Sequence, residues 1–212
     1  MVRPVIIIGS GGHAKVLIAA LLILRREIIG VLEADRDKHG GFLSKIPIIG
    51  DDESVKNYKP KEIELVNGIG SVGLPYKRME IYQKFKKMGY RFAGVVHPSS
   101  IVMGDVQLDE GVQIMAGAII QPGCRIGDNV IINTGAILDH DCIIGEHTHI
   151  APGAVLSGSV HIGAASHVGT SATIIQGIKI GKNALIGAGS VVINNISTGS
   201  KAVGVPARNI IK

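Results

Sequence analysis

The stretch AILDHDCIIGEHTHIAPG, residues 136–153, holds three histidines and three acidic side chains within eighteen residues. An imidazole beside a carboxylate supports proton transfer: the carboxylate fixes the tautomer and raises the ring's basicity, as a general base requires. His140, between Asp139 and Asp141, has that setting. Clustered histidines can instead hold zinc. A second candidate lies near the N-terminus. In IIIGSGGHAKV, residues 6–16, a buried strand runs into a glycine-rich turn and then a helix. Phosphate groups settle at helix N-termini of this kind. Gly9-x-Gly11-x-x-Ala14 satisfies the dinucleotide fingerprint, and Glu33 follows the strand EIIGVLEAD where a ribose-binding carboxylate would stand. About ninety residues precede the repeats described next, half of a full doubly wound sheet. A nucleotide-linked ligand therefore fits better than a whole NAD.

The elements that position these residues follow from a repeat. From Val96 to Val192 every sixth residue is Val, Ile or Leu, seventeen positions without a miss. The fourth residue after each is usually small or modest in size, as at Ala118, Cys124, Ala136, Cys142, Thr148 and Ala154. Gly often follows the aliphatic residue directly, as in Ile126-Gly127 and Ile144-Gly145, and is expected to supply turn conformations. Six residues make one short strand and one tight turn, and strand alternation sends the aliphatic and small residues inward. Three strands close an eighteen-residue coil, and the stack reaches roughly 25 to 30 Å. This is the hexapeptide repeat of the left-handed parallel β-helix. The chain thus reads as an α/β N-terminal half-Rossmann-like domain (1–95), a left-handed parallel β-helix (96–197) and a C-terminal tail (198–212). Later in the first domain, NGIGSVGLP reads as a strand and loop and YKRMEIYQKFKKMGY as a helix.

Residues eighteen apart share a face. The first outward column is Ile101, Ile119, Ile137, Val155, Thr173, Val191, too aliphatic for water and expected to be a subunit interface, most naturally of a trimer. The second is Gln107, Arg125, Ile143, His161, Lys179, Ser197; the third is Gln113, Ile131, His149, His167, Leu185. Cys124 and Cys142 should be stacked core thiols. His140 falls on a turn, with Gly158 one coil along at its own register. His147 falls on a turn beside Glu146 and is expected to be solvated. His140 and His149 are half a coil apart, so they can meet only across a subunit boundary. A shared zinc site of the kind in gamma-type carbonic anhydrases is permitted by that spacing but not favoured by it, and no metal is expected.

The net charge of +5 is modest and spread along the chain, and aromatic residues make up 3%. No basic block interleaves with aromatics, which argues against nucleic acid as a partner. Leu17–Leu24 is too short to span a bilayer, and MVRPVIIIGSGG contains no signal-peptide cleavage site. Two cysteines with no ligand spacing fit a reduced, cytoplasmic protein.

Four stretches together, IIIGSGGHAKV, VVHPSS, INTGAILDHDCIIGEHTHIAPGAVLSG and AVGVPARNI, resemble the bacterial sugar acyltransferases of the sialic acid O-acetyltransferase (NeuD) type. That group includes N-acetyltransferases acting on nucleotide-linked 4-amino-4,6-dideoxyhexoses. The resemblance implies an acetyl-CoA-dependent enzyme. It implies His140 as base, Asp141 as its orienting carboxylate where relatives often carry Glu, and Asn133 near the reacting amine. It places His149, Gly158, Thr170, Ala188, Gly204, Pro206, Ala207 and Arg208 against acetyl-CoA, with Lys201 near its phosphates. It places Gly11, Gly12, His13, Glu33, Asp35 and Gly70 against the nucleotide sugar. Three alternatives stay open: an O-acetyltransferase using the same machinery, a metal-dependent β-helix enzyme, and a non-catalytic binder of sugar nucleotides.

Overall fold

A computed structural model describes residues 2–210, so the last two residues of the expected tail lie outside it. The N-terminal part is a parallel sheet built from β1 (Val5–Ile8), β2 (Ile28–Leu32), β4 (Ile46–Gly50) and β5 (Glu64–Asn67), with β3 (Phe42–Leu43) antiparallel on the edge. The order β3-β4-β2-β1-β5 places the Gly-rich turn after β1, an interior strand between β2 and β5, at the strand ends where open α/β sheets bind ligands. Two helices, α1 (Gly12–Ile23) and α2 (Tyr76–Lys87), pack on this sheet through Leu17, Ile18, Leu21, Tyr82 and Phe85. Two differences from the sequence reading arise here. The β3–β4 hairpin carries no strong alternation and was not expected. The later strand is the aliphatic ELVN of β5, while the glycines after Asn67 form loop.

From β6 (Val95–Val96) onward the chain is a left-handed parallel β-helix of two-residue strands in three sheets. Register pairs are eighteen apart as far as Val192, for example Ile119↔Ile137, Arg125↔Ile143 and Ile131↔His149. The repeated aliphatic and small positions interlock in one narrow core, which includes the buried free thiols Cys124 and Cys142. Most turns have a left-handed residue. From Gly111 to Gly189 every sixth residue has φ between +54° and +77°, whether Gly, Asn, Asp, His, Ser or Ala. These residues, not the glycines after the aliphatic position, supply the turn conformation. Gly145 shows what the other glycines do: an added Cβ would stand 2.6 Å from the Ala164 amide nitrogen of the next coil. They let coils stack closely. The tail continues the third sheet, Lys201–Val203 pairing with Leu185–Ile186 and then with Arg208–Asn209.

The N-terminal domain lies against the third sheet. Gln113, Ile131, His149 and His167, outward residues of that face, are buried. Buried Arg78 of α2 fastens the two parts, donating to the carbonyls of Asn67, Ile69 and Asn129. The first face has no such cover: Ile101 is 51% exposed, and the others of its column are partly exposed.

Candidate active site

Two separate constellations face solvent on the β-helix. The first occupies the edge between the first and second sheets. His140 Nδ1 stands 2.8 Å from Asp141 Oδ2, and half of the His140 side chain is exposed. The Asp141 hydrogen bond is the main reason its pKa lies above the usual histidine value, with Asp139 adding to it. Asp141 is itself the left-handed residue of the turn, at φ +60°, which brings its carboxylate back to the neighbouring ring. Gly158 is directly above: an added Cβ would overlap His140 Nε2. Only glycine lets the ring lie there. The Gly158 N–H donates to no group among the described residues.

The second constellation is a cleft of about 640 Å³ between the N-terminal domain and the third face. Gly11, Gly12, His13, Glu33 and Gly70 line it, together with Ser71, Lys77, Asn133 and His149. Gly11 caps α1 with no side-chain bond and no acidic residue in the first turn, so the helix N-terminus is open to an anion. Burial acts to raise the Glu33 carboxyl, but hydrogen bonds from the Ser10 hydroxyl and the Asp35 and Ser10 amides outweigh it. Glu33 is held below the ordinary carboxylate range. His13 Nε2 bonds Gln113 Oε1 at 2.7 Å, and burial lowers its pKa to about 4. Burial likewise lowers His149 to about 3, the nearby His167 adding to the effect. Both rings are neutral at physiological pH.

Several expected residues fall elsewhere. Asp35 lies outside the cleft, because it caps the short helix Arg36–Lys38 and pairs with Lys38 at 3.1 Å. His149, expected against acetyl-CoA, lines the cleft against the N-terminal domain, bonded to Ser71 and Asn133. His147 corrects the expectation of a solvated turn histidine. It is buried, its Nδ1 accepts from Asn129 Nδ2 at 3.0 Å, and its ring meets Tyr82 edge-on at 5.3 Å. The turn that carries it lies on the edge covered by α2.

Asn133 begins a row. Thr170 and Ala188 stand on turns of the same edge, exposed, with the Gly189 amide bonding the Thr170 carbonyl. The tail runs on from there: the Gly204 amide donates to Ser190 Oγ at 3.1 Å and the Ala207 amide to Val191 O. Pro206 and Arg208 are exposed. The row thus leads from the cleft to the tail along the edge between the third and first sheets. His140 stands on the other edge of the first sheet, away from both. Among the described residues no three His, Cys, Asp or Glu side chains form a group that could hold a metal, and no helix is long and apolar enough to cross a membrane. Sequence reasoning missed Ser71, Lys77, Gln113 and Arg78. Of these only Gln113 left a trace, as a polar residue in the column of His149.

The chain matches the bacterial transferase hexapeptide profile over residues 105–139 and 123–158 and the PglD N-terminal domain over residues 4–85. It is 34% identical to a histidine-to-asparagine variant of perosamine N-acetyltransferase from Caulobacter crescentus, solved with CoA and GDP-perosamine. That similarity covers 100% of this chain and 99% of the other, with a TM-score of 0.92. The acetyltransferase domain of PglB from Neisseria gonorrhoeae, solved with acetyl coenzyme A, is 30% identical over 99% of this chain and 100% of its own, with a TM-score of 0.90. WeeI from Acinetobacter baumannii shares the fold at a TM-score of 0.87, with 23% identity over 98% and 100% of the two chains. No curated protein matches the sequence significantly.

Proposed function

Since this chain belongs to the hexapeptide-repeat sugar acyltransferases with a PglD-type N-terminal domain, we propose that it moves an acetyl group from acetyl-CoA to the 4-amino group of a nucleotide-linked amino-deoxy sugar. One observation carries this reading: the exposed His140–Asp141 pair over Gly158, in a chain that aligns end to end with a structure holding CoA and GDP-perosamine. The nucleotide sits at the N-terminus of α1 with its ribose toward Glu33. Acetyl-CoA runs along the row from Asn133 through Thr170 and Ala188 to Gly204–Arg208. The sugar amine lies at the mouth of the cleft.

His140 and the cleft are on different edges of one chain, so the working site joins the cleft edge of one copy to the His140 edge of the next. The aliphatic first face between those edges is the contact that a closed trimer needs. With Nδ1–H donated to Asp141, His140 Nε2 keeps its lone pair and takes a proton from the amine as nitrogen attacks the thioester carbonyl. The Gly158 N–H donates to the oxyanion that forms. Collapse breaks the carbon–sulfur bond, and the departing thiolate takes the proton back from Nε2. No acyl-enzyme is formed.

The test is complementation. His140→Ala should lower turnover by about 10² to 10⁴ without dispersing the assembly, and Asn133→Ala should weaken the cleft edge. Co-expressed at equal levels, the two variants should rebuild about a quarter of normal sites by random mixing of copies. A mixture no more active than its parts would rule out a site shared between copies. Assays with hydroxyl as well as amine acceptors decide which nucleophile is used.

A further inference from the structure

The cleft wall holds a run of hydrogen bonds that the mechanism above leaves unused. It starts on the β-helix, where the Thr134 N–H donates to Asn133 Oδ1 at 2.8 Å. That contact orients the amide, so the atom 3.0 Å from His149 Nε2 is Asn133 Nδ2. An amide nitrogen only donates, so His149 Nε2 accepts and carries no hydrogen. The ring is buried and neutral, which leaves its one hydrogen on Nδ1. Nδ1 lies 2.7 Å from Ser71 Oγ, and the Ser71 oxygen is therefore the acceptor. A hydroxyl that accepts on one side keeps its own hydrogen for a different partner. Ser71 lines the cleft beside Gly70. The ring of His167, 4.9 Å away and at 87° to that of His149, holds the imidazole plane in place.

We propose that Ser71 is a substrate-binding residue whose hydroxyl donates a hydrogen bond to an oxygen of the nucleotide sugar, with Asn133 and His149 as positioning residues that fix its direction from the β-helix. The proposal rests on the reading of the cleft as the nucleotide-sugar site. The bonded oxygen belongs either to the diphosphate or to the sugar. Asn133→Asp reverses the run while keeping the Thr134 contact. A carboxylate only accepts, so it draws the hydrogen to His149 Nε2 and bares Nδ1. Ser71 must then donate inward and show the ligand a lone pair.

Nitrogen-15 histidine spectra of the intact protein, recorded at about pH 8.5 so that a carboxylate neighbour does not charge the ring, should show His149 protonated at Nδ1 in the native protein and at Nε2 in Asn133→Asp. Calorimetric titrations use GDP-perosamine, UDP- and dTDP-linked 4-amino-4,6-dideoxyhexoses, and GDP, UDP and dTDP alone. Ser71→Ala should weaken the nucleotide sugar that the native protein binds by about 3- to 30-fold. Its KM for acetyl-CoA should not change, and Ser71→Thr should keep most of the affinity. Asn133→Asp should match Ser71→Ala, and the double substitution should add little further. Loss with the free diphosphate as well identifies a phosphate oxygen; loss with the conjugate alone identifies a sugar oxygen. An Nε2 hydrogen in native His149, or unchanged binding in Ser71→Ala, overturns the proposal. Native protein that has the Nδ1 hydrogen but binds none of these ligands keeps the hydrogen-bond run and removes the nucleotide-sugar reading.

Discussion

Two faces of the β-helix treat water in opposite ways. The third face carries Gln113, His149 and His167 and is buried by the rest of the chain, whereas the first carries Ile101, Ile119, Ile137 and Val155 and is left partly open. Hydrophobicity alone would cover the first face and wet the third. Covering polar groups is costly unless each finds a partner; Gln113 and His149 find theirs in Asn67, Ser71, Asn133 and His13, while His167 Nδ1 is buried with no partner among the described residues. The polar face is covered to make a lined cleft. The apolar face is left partly open, and in the proposed assembly it meets another copy.

The contrast can be broken most severely on the apolar side. Ile137→Glu with Val155→Glu puts two stacked carboxylates on the first face. Light scattering should find dispersed single chains, and turnover should fall to background because no edge meets another, while nucleotide-sugar binding survives. Activity at normal levels in a single chain would end the shared-site account. Asp141→Asn is the next largest, with turnover falling about tenfold to a hundredfold. Asp141 holds the His140 pKa up, and the base works only when neutral. The acid limb of the kcat/KM profile should therefore move to lower pH in the variant.

On the covered face, Gln113→Leu leaves His13 Nε2 unpaired and the Asn67 carbonyl with Arg78 as its remaining donor. Unfolding measured in urea should show about 1 to 3 kcal/mol lost, with assembly unaffected. A last contrast distinguishes the faces by acid. His13, His147, His149 and His167 all have folded pKa values below their ordinary value of 6.5. The unfolded chain then binds more protons as pH falls below 6.5, so stability declines from there down toward about pH 4. The first outward column has no titratable group, and the assembly's mass should hold over the upper part of that window while the urea midpoint falls.

The β-helix was legible because its period is carried by seventeen consecutive positions, and period fixes register. That arithmetic was enough to put His140 on a free edge and Gly158 above it. It could not say what covers an edge. His147 and Asp141 occupy equivalent turn positions, both with φ near +60°; one is buried only because Tyr82, sixty-five positions earlier in the chain, packs against it. Arg78 and Ser71 escaped for the same reason, since Asn129, one of Arg78's partners, and His149, the partner of Ser71, lie on the β-helix. Asp35 was misplaced because a carboxylate after a strand can cap a turn as readily as it binds ribose, and local hydrogen bonding decided the matter.

On the proposed path of acetyl-CoA, the row of turns from Asn133 to the tail acts as a measuring rod for its cosubstrate. Its length is set in whole coils, each adding about 4.8 Å. Removing one complete eighteen-residue winding between those landmarks would leave every face aligned, yet a carrier long enough to touch both ends would overshoot by a single notch.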